Sequence, residues 1–300
     1  MFIRAEDAAS LRFQETLSAR RVGAERRRRE QELRQAVNRR ELVLHYQPFV
    51  SLSSGKICGA EALVRWPHRR RGLLPAADFA PMAEQAGVVT EIGGWALAEA
   101  CTAAAAWTVG IPVSVNVSAR QLDDDALLDQ IADALAASGL PPERLELELV
   151  EDSLIGCQTE TLLSLAALRD LGVGLALDDF GAGAASLSLL RRLPLTTLKL
   201  GSTLLRELPR SREDAAIVRA MVEAGHALDL IVVAAGVETD AQRAFLAGIG
   251  CDAGQGPLFG SASPRPTDPV RPNPAEGLPW RYKTARTDCA ACVALWSAPA

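Results

Sequence analysis

Three hundred residues suffice for one large domain or two small ones. With 48% apolar and 23% charged residues the chain reads as an ordinary globular protein, and a formal net charge of −5 argues against nucleic acid as its main partner. Six cysteines without tight spacing do not make a secreted disulfide framework, and Arg4, Glu6 and Asp7 interrupt any early apolar run of the kind a signal peptide needs. A soluble, cytoplasmic protein is expected.

Residues 1–37 read as a charged helical linker, with Arg20, Arg21 and the run Arg26 to Arg29 diluted by Glu25, Glu30 and Glu32. From about residue 40, β-rich runs alternate with helical patterns. The predicted strands are 42–50, 57–66, 113–118, 145–151, 174–179, 197–200, 230–237 and 251–259. Helical patterns at 77–85, 91–107, 122–137, 159–171, 184–190, 212–228 and 241–248 fill most gaps. The apolar stretch 100–118 holds Gly110, Pro112 and Asn116, so it reads as a helix end and a strand rather than a membrane span. Strands alternating with helices imply parallel βα units, and eight of them imply an α/β fold, a closed (β/α)8 TIM-like barrel. The 51–56 connection is too short for a parallel crossover, so the first strand should run antiparallel to the second. The barrel domain is placed at 38–262 and a Pro-rich tail at 263–300. The tail's Cys289 and Cys292 form a lone C-x-x-C, which is weak evidence for zinc.

Chemistry in such a barrel sits at the carboxyl ends of the strands. Those ends carry Glu61, Asn116, Glu148 with Glu151 one turn on, Asp178-Asp179, Lys199, Ala235-Gly236-Val237-Glu238 and Gln255-Gly256. Lysine is rare, at positions 56, 199 and 283 alone, so Lys199 stands out. Carboxylates set into apolar strands are costly unless paired. Any one of them could be a structural ion pair. Four strands supplying Glu, Asn, Glu and Asp-Asp at corresponding ends suit a hard divalent cation, Mg²⁺ or Mn²⁺, and the adjacent aspartates could reach a second ion.

These blocks resemble a known family. Glu61-Ala62-Leu63-Val64-Arg65-Trp66 resembles the signature of the EAL domain, the cyclic di-GMP phosphodiesterases, over about residues 38–262. Tyr46-Gln47-Pro48, Asn116-Val117-Ser118, Glu148 to Glu151, Asp178 to Gly183, Lys199, Gly236-Val237-Glu238 and Gln255-Gly256 match its other blocks in order. Residues 1–37 also resemble the tail of a GGDEF domain and its linker. The resemblance implies that Glu61, Asn116, Glu148 and Asp178 hold a first metal, and that Asp178 and Asp179 face a second. It implies that Lys199 and Asp179 serve catalysis, that Glu151 tethers the loop carrying both aspartates, and that Gln47, Leu63, Arg65 and Gln255 line the nucleotide. Arg65 would grip a phosphate with its forked guanidinium, whereas Trp66 reads as packing.

The chain also departs from the family pattern. K-I-D is here Lys199-Leu200-Gly201, A-E-G-V-E is Ala234-Ala235-Gly236-Val237-Glu238, D-D-F-G-T-G carries Ala182, and Q-G-Y ends in Pro257. Two acids are therefore missing, at 201 and 235, and alanine cannot take a proton from water. The expectation is a degenerate EAL domain that binds cyclic di-GMP or a partner protein with weak or no hydrolysis, with the second metal site impaired. The alternative is an active metal-dependent phosphodiesterase yielding the linear dinucleotide pGpG. The stretch 180–190, rich in Ala and Leu, could pair two copies into a homodimer, or its leucines could simply pack onto the barrel.

Overall fold

A computed structural model describes residues 25–108, 110–124, 126–154, 159–181 and 187–265. Ala182, the Cys289/Cys292 pair, most of the Pro-rich tail and the first part of the charged linker lie outside the described residues. In chain order the elements are α1 (25–38), β1 (Val43–Ser51), β2 (Ile57–His68), β3 (Gly72–Pro75), α2 (Ala80–Ala86), α3 (Val89–Ala105) and β4 (Val113–Val117). There follow α4 (Ala119–Leu122), α5 (Leu127–Ser138), β5 (Leu145–Val150), α6 (Thr159–Asp170), β6 (Gly174–Phe180), α7 (Leu187–Arg192) and β7 (Thr197–Leu200). The last are α8 (Ser202–Leu205), α9 (Arg212–Ala227), β8 (Ile231–Ala235), α10 (Asp240–Gly248) and β9 (Ala253–Gln255). The chain divides into two compact units, the described parts of 1–43 with 65–92, and of 44–64 with 93–300.

In the first unit α1 is a helix rich in Arg and Glu. Its exposed side chains pair at i,i+4 spacing, Arg26–Glu30, Arg28–Glu32 and Glu25–Arg29, while Leu33 and Ala36 are buried. Such exposed pairs contribute only about 0.3–0.5 kcal/mol each. β3 pairs antiparallel with the outer half of β2, from Arg65 opposite Pro75 to His68 opposite Gly72. Trp66 is a packing residue, edge-on to Phe79 at 6.0 Å between ring centres.

The second unit is a closed barrel. β2, β4, β5, β6, β7, β8 and β9 run parallel in that spatial order, β1 pairs antiparallel with β9, and a β1–β2 pairing closes the ring of eight strands. β1 therefore opposes the rest, as the short connection to β2 demands. In β5 the alternation Leu145-Glu146-Leu147-Glu148-Leu149 separates two faces. The three leucines are fully buried in the hydrophobic core with Ile131, Leu165 and Leu168 of α5 and α6. The two glutamates turn into the barrel. Glu146 accepts from Ser114 Oγ of β4 at 2.6 Å and from Thr197 Oγ1 of β7, strands that do not neighbour each other. A bond that skips a strand this way has to cross the barrel interior.

Two local departures from the sequence reading have physical causes. The helix expected over 122–137 starts later, as α5 from Leu127, because Asp124 Oδ1 accepts from Ala126 N at 3.0 Å and competes with the helical bond. β9 is shorter than 251–259 because the chain turns back beside β8 after Gln255, whose carbonyl accepts from both Gly236 N and Val237 N. Gly256 is needed there, since a Cβ would lie 2.4 Å from the Val237 backbone. Among the described residues no helix is long and apolar enough to cross a membrane.

Candidate functional site

The carboxyl ends of the parallel strands bring the predicted acids together around Lys199. Its Nζ lies 2.6 Å from Glu148 Oε2, 3.1 Å from Asp178 Oδ1 and 3.3 Å from Glu61 Oε2. These three carboxylates come from β5, β6 and β2, and the amine from β7. The Phe49 ring of β1 faces the ammonium at 5.4 Å, a cation–π distance. Asn116 Nδ2 donates to Glu61 Oε1 at 2.8 Å and Gln255 Nε2 to Glu61 Oε2 at 2.7 Å. Gln255 also reaches Gln47 Oε1 at 3.5 Å, and Gln47 Nε2 donates to the Gly260 carbonyl at 3.2 Å. Lys199 and Glu148 are fully buried, Glu61 and Gln255 nearly so, whereas Asn116 and Asp179 are exposed.

A bulge explains how two adjacent aspartates serve one strand end. In β6 the register with β7 runs Leu177 to Leu198 and then Phe180 to Leu200, so Asp178 and Asp179 together oppose Lys199. An ordinary strand would send them to opposite faces. Asp179 takes up the extra residue in the left-handed conformation, φ 53°, which aspartate tolerates better than most side chains. The turn after β5 contributes Glu151, whose Oε2 accepts from Gly181 N at 3.2 Å just past β6.

Electrostatics follow from burial and neighbours. Burial works against the Lys199 charge, but Glu148, Glu61 and Asp178 overcome it and hold the ammonium well above the ordinary lysine range. Burial also pushes Glu61 up, yet Lys199, Gln255 and Asn116 outweigh it and leave this carboxyl below the ordinary range. Glu148 is the opposite case: burial, then the Glu61 and Asp178 charges, drive it well above the ordinary range despite Lys199. Asp179 is raised by desolvation, Asp178 and Glu151. Three carboxylates face one ammonium, so the cluster holds excess negative charge whenever all three are ionised.

This arrangement bears on a metal. Among the described residues no group of three or more His, Cys, Asp or Glu is arranged to hold an ion, and the point on which Glu61, Glu148 and Asp178 converge is taken by Lys199 Nζ. The donor chemistry nonetheless fits a hard cation. All the candidate ligands are oxygens, and Glu148 Oε1 is a buried atom with no hydrogen-bond partner among the described residues. The other predicted residues are distributed as follows. Leu63 is half-buried on β2 within the second unit, and Arg65 is half-buried on the same strand within the first unit, opposite Pro75. Ala235 ends β8 as the Cα partner of Gln255. Gly201 directly follows β7, and its N–H donates to the Phe180 carbonyl at 3.1 Å. Sequence reasoning missed Phe49 and Glu146. The period-two pattern in β5, which puts Glu146 on the Glu148 face, was the available signal for the second.

Comparison with known proteins agrees with this geometry. The EAL domain family profile matches residues 30–262. MucR of Pseudomonas aeruginosa, a bifunctional diguanylate cyclase/cyclic di-GMP phosphodiesterase, is 42% identical over 251 residues, which is 82% of this chain and 35% of MucR. NbdA of the same organism, a cyclic di-GMP phosphodiesterase, is 41% identical over 239 residues, 78% of this chain and 30% of NbdA. This chain thus spans about a third of the length of these relatives. The solved MucR phosphodiesterase in complex with cyclic di-GMP superposes with a TM-score of 0.74 at 42% identity, covering 78% of this chain and 96% of that one. With strand-end blocks, barrel and profile in agreement, this chain belongs to the EAL domain family.

Proposed function

We propose that this EAL domain binds cyclic di-GMP across the carboxyl ends of its barrel strands and hydrolyses it weakly or not at all. The observation that carries the reading is a contrast at one end of one barrel. The oxygen set of Glu61, Glu148 and Asp178 converges within 3.3 Å of a single point, whereas the residues at 201 and 235 are Gly and Ala. On this reading Glu61, Asn116, Glu148 and Asp178 would hold one Mg²⁺ or Mn²⁺ ion, with Asp178 and Asp179 facing a weaker second site. A bound divalent ion would supply positive charge to a phosphate oxygen and lower the pKa of a water. Gln47, Leu63 and Gln255 would lie along the dinucleotide, and Arg65 would grip a phosphate. Lys199, held charged, would stabilise negative charge near the attacked phosphorus, and Glu151 would fix the turn that carries Asp179. No carboxylate stands at 235 to take the proton of an attacking water. The reading supports a role in cyclic di-GMP signalling in a soluble, cytoplasmic setting.

A second reading, an active phosphodiesterase forming pGpG, is favoured by the 42% identity to a relative named as such and by the complete first set of oxygen ligands. The two readings part in one experiment. Calorimetric titration with cyclic di-GMP in Mg²⁺ or Mn²⁺ is run beside chromatography of the same mixture for pGpG. Heat without pGpG supports binding alone. Brisk pGpG formation overturns the degenerate reading, and no heat with either ion overturns both.

A further inference from the structure

The alternation that turns Glu148 and Lys199 into the barrel also turns in the residue two places earlier on each strand. On β4, β5 and β7 those residues are Ser114, Glu146 and Thr197, one step below Asn116, Glu148 and Lys199. All three are at most 2% exposed, and they are joined: Ser114 Oγ donates to Glu146 Oε1 and Thr197 Oγ1 to Glu146 Oε2. To meet Thr197, Glu146 must reach past β6, whose residue beside Thr197 in the ladder is Ala176. Ala176 is buried and shares a face with Asp178 two places on, and its methyl group leaves the path open. The far side of the same layer is apolar, with Phe49 of β1, Val233 of β8 and Ala253 of β9 in one buried cluster. Apolar side chains could have filled the near side too. A hydroxyl–carboxyl–hydroxyl bridge adds what packing lacks, direction and a fixed length, and a buried bond of this kind is costly to leave unmade.

We propose that Ser114, Glu146 and Thr197 are positioning residues for the site above them. The bridge ties β4, β5 and β7 across the barrel interior. It thereby fixes how far each strand presents its next inward side chain, and it sets Glu148 Oε2 2.6 Å from Lys199 Nζ. An ion placed among Glu61, Glu148 and Asp178 would meet a carboxylate whose strand is already anchored one layer down, in the way that hydrogen-bonded neighbours hold the ligands of a metal site. This inference deepens the cation-binding reading and rests on it for the metal measurement alone, since the Glu148–Lys199 geometry is read without metal.

The test compares Thr197→Val, which keeps the volume and loses the hydroxyl, with Thr197→Ser, which keeps the hydroxyl, and with Glu146→Leu, all in the full chain. The chain has three lysines, at 56, 199 and 283, so NMR of isotope-labelled lysine resolves Lys199, identified by its loss in Lys199→Met. In EDTA the buried ammonium of the natural chain should give a displaced signal with slow proton exchange. Thr197→Val and Glu146→Leu should shift and broaden that signal and speed its exchange, and Thr197→Ser should restore it. Mn²⁺ affinity by calorimetry should fall about tenfold or more in Thr197→Val and largely recover in Thr197→Ser. If Glu146→Leu fails to fold, the two variants at 197 still decide. A Thr197→Val chain with the natural Lys199 signal, or with the natural Mn²⁺ affinity, overturns the proposal even if it melts lower, because the bridge then serves stability alone. Thr197→Ser behaving like Thr197→Val overturns it too, since the methyl and not the hydroxyl is then at work. A displaced Lys199 signal in Thr197→Val with no Mn²⁺ uptake by the natural chain overturns the cation reading and leaves the positioning layer standing.

Discussion

Replacing Lys199 by methionine removes the one charge on which Glu61, Glu148 and Asp178 converge and leaves most of the side-chain volume. Breaking a fully buried ion pair from one side costs about 3–5 kcal/mol, because the stranded carboxylates lose their compensation. At about 2–4 °C per kcal/mol for a domain of this size, the variant should melt roughly 6–20 °C lower in EDTA at about pH 8. The pH dependence has a definite sign. Lys199 has a raised folded-state pKa, so its contribution in the natural chain is complete below the ordinary lysine range and is lost only as pH rises through it. In the variant the carboxylates must shed charge by protonation, and Glu148, already raised, takes a proton first. The deficit should therefore shrink between about pH 8 and about pH 5. Mn²⁺ should restore the variant more than it stabilises the natural chain, since the ion replaces the missing charge; at a hundred times its Kd it contributes about 2.7 kcal/mol. A variant that melts within about 2 °C of the natural chain in EDTA at both pH values would refute the claim that this ammonium holds the cluster together.

Arg65→Ala should weaken cyclic di-GMP binding by about 1.5–3 kcal/mol, read by calorimetry, if one charge-assisted phosphate contact is lost; unchanged affinity removes Arg65 from the nucleotide site. Gln255→Ala takes a hydrogen bond from Glu61 and should raise that carboxyl, so the stability Glu61 contributes above the carboxylate range should be lost at a higher pH as the solution is acidified. An acid-melting profile identical to that of the natural chain would contradict this. If the 180–190 stretch pairs two copies, light scattering should show twice the 31.9 kDa mass as concentration rises. Phe180 and Leu190 are already buried in the core, and a mass of 31.9 kDa throughout would assign that stretch to packing alone.

The barrel was legible because each strand pattern carries its own signature and the 51–56 gap admits only a hairpin. The site was legible in composition, since acids at successive strand ends survive inspection of one sequence. Its geometry was not. A period-two reading of Leu177-Asp178-Asp179-Phe180 sends the aspartates to opposite faces, and only the register slip against β7 shows that both remain at the strand end. The β2–β3 hairpin was missed because Pro67 cannot donate to a ladder and Arg69 to Arg71 look like a solvated turn. Nothing in the sequence context of Lys199 shows that its ammonium meets three of the acids.

The two departures from the family pattern stand at different places in the site. Gly201 directly follows β7, with the Asp179 carboxylate of β6 close by. Ala235 ends β8 half-buried, aligned with Gln255, whose amide already donates to Glu61, and a methyl group accepts no proton. Weak hydrolysis, if found, should trace more to 235 than to 201. Ala235→Glu alone should raise pGpG formation by about 10²–10⁴-fold, the ordinary contribution of a general base, with Mn²⁺ present and cyclic di-GMP saturating. Gly201→Asp alone should give a smaller gain than Ala235→Glu alone. Neighbouring groups in one site do not act additively, so the order of the rates is the informative result. A Gly201→Asp variant faster than Ala235→Glu would refute the greater weight given to 235. A folded Ala235→Glu variant that binds cyclic di-GMP and Mn²⁺ yet makes no pGpG would refute the assignment of the missing base to 235.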